Sequence, residues 1–104
     1  SGGLMSRGIP KQVVYKITYP NGKIYIGKDM TNSINYFGSA SSELIAQDFS
    51  LDQRRSFTIT QEILWEAWGA TLQEVNKKEI ELILMYRAND PQVGYNRFPR
   101  FVEQ

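Results

Sequence analysis

Cysteine and histidine are both absent from the 104 residues. Without cysteine there is no disulfide framework, no thiolate metal site and no thiol nucleophile. Without histidine the usual general base near neutral pH and the commonest metal ligand are missing. Acid–base chemistry then falls to carboxylates, tyrosine, lysine or bound water. No run of about 18 apolar residues occurs, which excludes a membrane-spanning helix. No signal-peptide pattern is visible, so a cytoplasmic location is expected. Net charge is also small, with 12 Lys and Arg against 11 Asp and Glu. The chain as a whole therefore carries no electrostatic signature of nucleic-acid binding. Repeats, low-complexity runs and linkers are lacking. The length suits one domain with a modest core, expected over residues 12–104 behind a loose arm at 1–11.

Charge is unevenly spread. Arg7, Lys11, Lys16, Lys23 and Lys28 all precede the first acid, Asp29, and Arg87, Arg97 and Arg100 gather toward the other end. If the two ends meet, they form a basic face suited to phosphates. If they do not, these are ordinary solvated charges.

Two short runs, Val14-Tyr15-Lys16-Ile17 and Lys23-Ile24-Tyr25-Ile26-Gly27, flank Pro20-Asn21-Gly22. Val, Ile and Tyr favour strand, and Pro-Asn-Gly is strong turn chemistry. A three-residue loop over 20–22 with a left-handed Gly sets Ile17 opposite Tyr25 and Tyr15 opposite Gly27. Side chains alternate along a strand, so Tyr15 and Tyr25 share a face, with open space above Gly27. A two-residue loop would change the register and flip one set. Two tyrosines so placed either pack a sheet or aim two phenols at one point.

Downstream, a short helix from Ser41 or Ser42 through Gln47 and a turn at Leu51–Arg55 are expected. A third strand is expected over Phe57–Trp65, with Phe57, Ile59, Ile63 and Trp65 on one side. Thr71-Leu72-Gln73-Glu74 forms a capping box that opens a helix running to about Tyr86. At about 100° per residue, Leu72, Val75, Leu82, Ile83 and Tyr86 make one apolar stripe, and Glu79 lies in its middle. An unpaired buried carboxylate costs several kcal/mol even after relaxation. Glu79 therefore needs a cation such as Arg54 or Arg55, a metal, a cleft, or a raised pKa.

The ordered set resembles the GIY-YIG nuclease domain. Tyr15 is followed ten residues later by Tyr25-Ile26-Gly27, with Asn21-Gly22-Lys23 between them. Tyr36-Phe37-Gly38-Ser39, Lys78-Glu79-Ile80 and Gly94-Tyr95-Asn96 continue the likeness, which spans roughly residues 13–96. The resemblance implies a small α/β sandwich, a three-stranded antiparallel sheet flanked by helices. It also implies a DNA endonuclease that hydrolyses phosphodiester bonds with Mg2+ or Mn2+. By position, Tyr15 would contact the attacking water, Tyr25 would help hold water and phosphate, and Gly27 would allow close approach. Glu79 would bind the metal and Asn96 would complete the site. A free tyrosine has a pKa of about 10, so roughly one in a thousand is ionised at pH 7. A neighbouring metal or lysine would raise that fraction.

The chain departs from the pattern in two places. Val13-Val14 stand where the first motif has Gly and Ile. Ser33-Ile34-Asn35-Tyr36 stand where the family carries an Arg, and no basic residue occurs between Lys28 and Arg54. Loss of one such electrostatic donor typically costs about 3–4 kcal/mol, or two to three decades in rate. Lys28, Arg54 and Arg55 are the candidate replacements in substrate binding. Two alternatives to a nuclease stay open. One is a nucleic-acid-binding module that has lost cleavage, and the other is a protein-interaction domain using Trp65, Trp68 and Phe101. A homodimer or a targeting partner is compatible with each.

Overall fold

The structure, a computed structural model, describes residues 11–31, 40 and 42–103. Strand β1 is Lys11–Thr18 and β2 is Ile24–Asp29. Helices α1 (Ser42–Asp48) and α2 (Leu51–Arg55), strand β3 (Thr60–Trp68) and helix α3 (Leu72–Tyr86) follow. Among the described residues the strands form one antiparallel sheet in the order β2-β1-β3. The architecture is the expected α/β sandwich. The segment Ser33–Ser39, with its Tyr36-Phe37-Gly38-Ser39 motif, and residues 1–10 of the expected arm lie outside the described residues.

The hairpin forms on the three-residue loop. The Tyr19 N–H donates to Lys23 O at 2.9 Å and the Gly22 N–H donates to Tyr19 O at 2.9 Å. Gly22 adopts φ 86°, which a side chain would strain. Ile17 then pairs with Tyr25 and Tyr15 with Gly27. Strand β1 is central, and both of its faces are covered by packed layers. Val13, Tyr15, Ile17 and Tyr19 pack with Ile45, Phe49 and Tyr95 on the α1 side. Val14 joins Ile26, Val75, Leu82 and Ile83 on the α3 side. Each such side chain contributes about 1.5–3 kcal/mol of burial.

The third strand differs from expectation. It begins at Thr60 and ends at Trp68, and a bulge skips Leu64, so Tyr15 faces Ile63 while Val14 faces Trp65. A bulge inserts one residue and reverses the faces beyond it. Trp65 therefore packs in the α3 layer, opposite the side that Ile63 shares with Tyr15. Strict alternation along the sequence had set Ile63 and Trp65 together.

Helix α3 opens on the expected capping box, in which Glu74 N–H donates to Thr71 Oγ1 at 3.1 Å and Thr71 N–H donates to Glu74 Oε1 at 3.0 Å. It ends at Arg87, whose φ of 59° turns the chain back toward β2. There Ile24 N–H donates to Val93 O at 3.1 Å and Tyr95 N–H donates to Ile24 O at 2.9 Å. This short parallel rung, Ile24 beside Gly94, fastens the tail along the outer edge of β2.

Candidate functional site

The tail and α3 meet over the edge of β2 and leave an open cavity of about 310 Å³. Tyr25, Glu79, Asn96, Arg97 and Phe98 are on its wall. Each arrives by a different local cause. Tyr25 is carried by the hairpin register, on the α1 face of the edge strand. Glu79 is one helical turn from both Val75 and Ile83, so burial of those two on the sheet fixes its direction. Asn96 is held by two bonds to one residue: Ile26 N–H donates to its Oδ1 and its Nδ2 donates to Ile26 O, each at 2.8 Å. The side-chain amide thus acts as one more strand rung on β2. Both ends of that amide are engaged, so Asn96 positions the tail as well as lining the cavity.

Glu79 is only partly exposed, and its partner is Lys28, whose Nζ lies 3.4 Å from Oε1. Arg54 and Arg55, the partners considered from sequence, are elsewhere. Arg55 pairs with Asp52 at 3.1 Å, Arg54 Nε donates to Ser50 O at 3.4 Å, and neither lines the cavity. Tyr15 is also off the wall. Its side chain is 1% exposed and lies over Gly27, where an added Cβ would sit 2.5 Å from the phenol oxygen. Gly27 therefore gives close approach to Tyr15. Of the residues anticipated for the site, Tyr25, Glu79 and Asn96 line the cavity, with Lys28 beside Glu79. Tyr15, expected to contact the attacking water, instead packs in the α1 layer over Gly27, on the opposite face of the sheet from Glu79 and Lys28.

Arg97 was legible in the sequence only as one of several terminal cations. Its place next to Asn96, which locks onto β2, is the signal that puts it at the site. Its one ion pair among the described residues, to Glu43 at 3.4 Å, is solvent-exposed. Such pairs are worth about 0–1 kcal/mol, too little to keep a guanidinium from a phosphate.

Next to this cavity a polar knot ties the tail to the hairpin. The Tyr95 hydroxyl donates to Asp48 Oδ2 at 2.6 Å and accepts from Asn21 Nδ2 at 2.9 Å. Lys23 Nζ reaches the same Asp48 oxygen at 3.0 Å. The Tyr95 bond, with the Lys23 pair behind it, holds the Asp48 carboxyl below its ordinary value. Burial, reinforced by the carboxylate, pushes the Tyr95 phenol up to about 12.

The donor set bears on metal binding. Among the described residues there is no group of three or more His, Cys, Asp or Glu able to hold an ion. Glu79 is a single carboxylate whose Oε2 has no hydrogen bond within the described residues, while Oε1 meets Lys28. A lone carboxylate oxygen suits Mg2+, which keeps most of its waters and takes further ligands from phosphate. It does not suit a two-metal centre. Comparison of the chain with protein-family models, with curated proteins and with solved structures found no match. No helix among the described residues is long and apolar enough to cross a membrane.

Proposed function

We propose that this protein hydrolyses phosphodiester bonds of DNA at the cavity on the edge of β2, in the manner of the GIY-YIG nuclease domain that its motifs resemble. The observation that carries the reading is that a phenol, a carboxylate and a guanidinium share one open wall: Tyr25, Glu79 and Arg97. These are the groups that phosphoryl chemistry needs in a chain without histidine. In hydrolysis a water oxygen attacks phosphorus, the bond to the leaving oxygen breaks, and the water proton passes to solvent or to that oxygen.

Arg97 takes the part of the arginine missing from residues 33–36. It arrives from the tail, and its fork neutralises charge gathering on the phosphate oxygens. Tyr25 holds the attacking water or a phosphate oxygen by its hydroxyl. Tyr15, packed over Gly27 in the α1 layer, supports strand β2. Glu79 would hold a divalent ion, Mg2+ or Mn2+, through Oε2, and when bound that ion supplies Lewis-acid stabilisation of the leaving oxygen. Lys28 keeps Glu79 neutralised until substrate enters.

The test is nicking of supercoiled plasmid with Mg2+. Glu79→Gln and Tyr25→Phe are expected to lower the rate by two decades or more while leaving the melting temperature within a few degrees. Equal nicking by wild type and both variants would remove the assignment. A second reading, binding without cleavage, is favoured by one observation, the Lys28 ammonium already beside Glu79. Salt-sensitive DNA binding with no nicking would select it.

A further inference from the structure

A second cavity, of about 280 Å³, opens between α1 and the tail and shares Tyr95, Asn96 and Arg97 with the first. Its walls are of two kinds. Leu44, Pro91 and Phe101 supply apolar surface, and Lys23, Arg97 and Arg100 supply three cations against the single carboxylate of Asp48. Asp48 is itself committed, since one oxygen takes bonds from Tyr95, Lys23 and Asn21. Arg100 is exposed and has no ion pair among the described residues. The excess of positive charge is thus carried by Arg97, which lines both cavities, and by Arg100 on the second.

We propose that this second cavity holds one unpaired nucleotide next to the phosphodiester that is cleaved, its base against Phe101 and Pro91 and its phosphate between Arg97 and Arg100. The inference rests on the proposed function for its choice of a nucleic-acid strand, and it adds a substrate class, DNA that is single-stranded or splayed at the cut. Three features favour a nucleotide over a bare anion. The space equals that of roughly nine waters, room for a base together with its sugar and far more than a bare anion fills. Phe101, partly exposed beside the arginines, offers the ring face on which unpaired bases stack, and a cationic groove that tracks the backbone is the usual companion of such a platform. Gln47, exposed on the rim, offers both an amide donor and an acceptor to a base edge that pairing would otherwise occupy. A paired base has neither face nor edge available to enter.

The test measures binding, in EDTA so that no cleavage intervenes. Fluorescence anisotropy compares a labelled oligothymidylate with a blunt duplex of the same length. The strand is expected to bind at least tenfold more tightly than the duplex. Phe101→Ala and Arg100→Gln are each expected to lose about tenfold on the strand and little on the duplex. Arg100→Gln alters an exposed side chain, so it reports even if Phe101→Ala fails to fold. Equal affinity for strand and duplex overturns the inference, as do variants that weaken both alike. Competition by free thymidine monophosphate at the strand's own concentration range would assign the cavity to a mononucleotide and also overturn it. Nicking with no strand preference removes this inference alone, whereas strand preference without nicking removes only the catalytic reading.

Discussion

At the scale of the residue, Gly27 and Tyr95 make the sharpest demands. A methyl group at Gly27 would sit 2.5 Å from the Tyr15 oxygen and 2.7 Å from its ring, closer than non-bonded atoms tolerate. Tyr15 is buried in the middle of the sheet and has little room to yield. Gly27→Ala is therefore expected to lower stability by about 1–3 kcal/mol, read as a shift in urea midpoint. Tyr95 makes stability depend on pH. Its phenol rises from 10.0 in the unfolded chain to about 12 in the fold. Below pH 10 both states keep the proton and the Asp48 bond contributes in full. Between pH 10 and 12 the unfolded chain loses its proton first, so stability falls as pH rises. Tyr19, also raised by burial, adds a loss of the same sign. Tyr95→Phe is expected to flatten part of that alkaline decline relative to wild type in melts run across the window. Asp48 acts at the acid end. Its lowered value means a contribution present above pH 3.8 that fades as pH drops further.

At the scale of the element, the hairpin was readable because its turn is local. Pro20-Asn21-Gly22 fixes the loop length, the loop fixes the register, and the register fixes which face Tyr15 and Tyr25 share. Glu79 was readable for the same reason, since helical periodicity alone sets it among Val75, Leu82 and Ile83. The rest depended on distant partners. The bulge at Leu64 reflects how β3 fits a central strand buried on both faces, and no residue in β3 announces it. Lys28 as the partner of Glu79 depends on the crossing of α3 and β2, 51 positions apart in sequence. The tail carries no periodicity, yet it pairs through one backbone rung and one side-chain amide. Gly94 makes that pairing possible. A Cβ there would meet Ala88 O at 2.5 Å and Ile24 O at 2.6 Å, and both are backbone atoms. Gly94→Ala is expected to cost about 3 kcal/mol, the upper end for overpacking. It should also release Asn96 and Arg97 from the edge of β2, seen as faster amide exchange at Ile26. Unchanged exchange there would contradict the tail's role in building the site.

At the scale of the whole molecule, two ends of the chain with excess positive charge meet across β2. Lys23 and Lys28 come from the hairpin, and Arg97 and Arg100 come from the tail, while among the described residues the acids that face them are Asp48, Glu79 and Glu43. A near-neutral protein thereby presents a local cationic edge. That edge, with Tyr25 and Glu79 set into it, is the arrangement on which the functional account stands. Arg97 is its most exposed commitment, because the sequence carries no arginine where the resembling family has one. The most direct measurement is the Mg2+-dependent plasmid nicking rate of wild type beside Arg97→Gln, both checked for the same melting temperature. The account predicts that wild type nicks and that the variant is slower by about two to three decades. Equal rates, or no nicking by wild type, would contradict it.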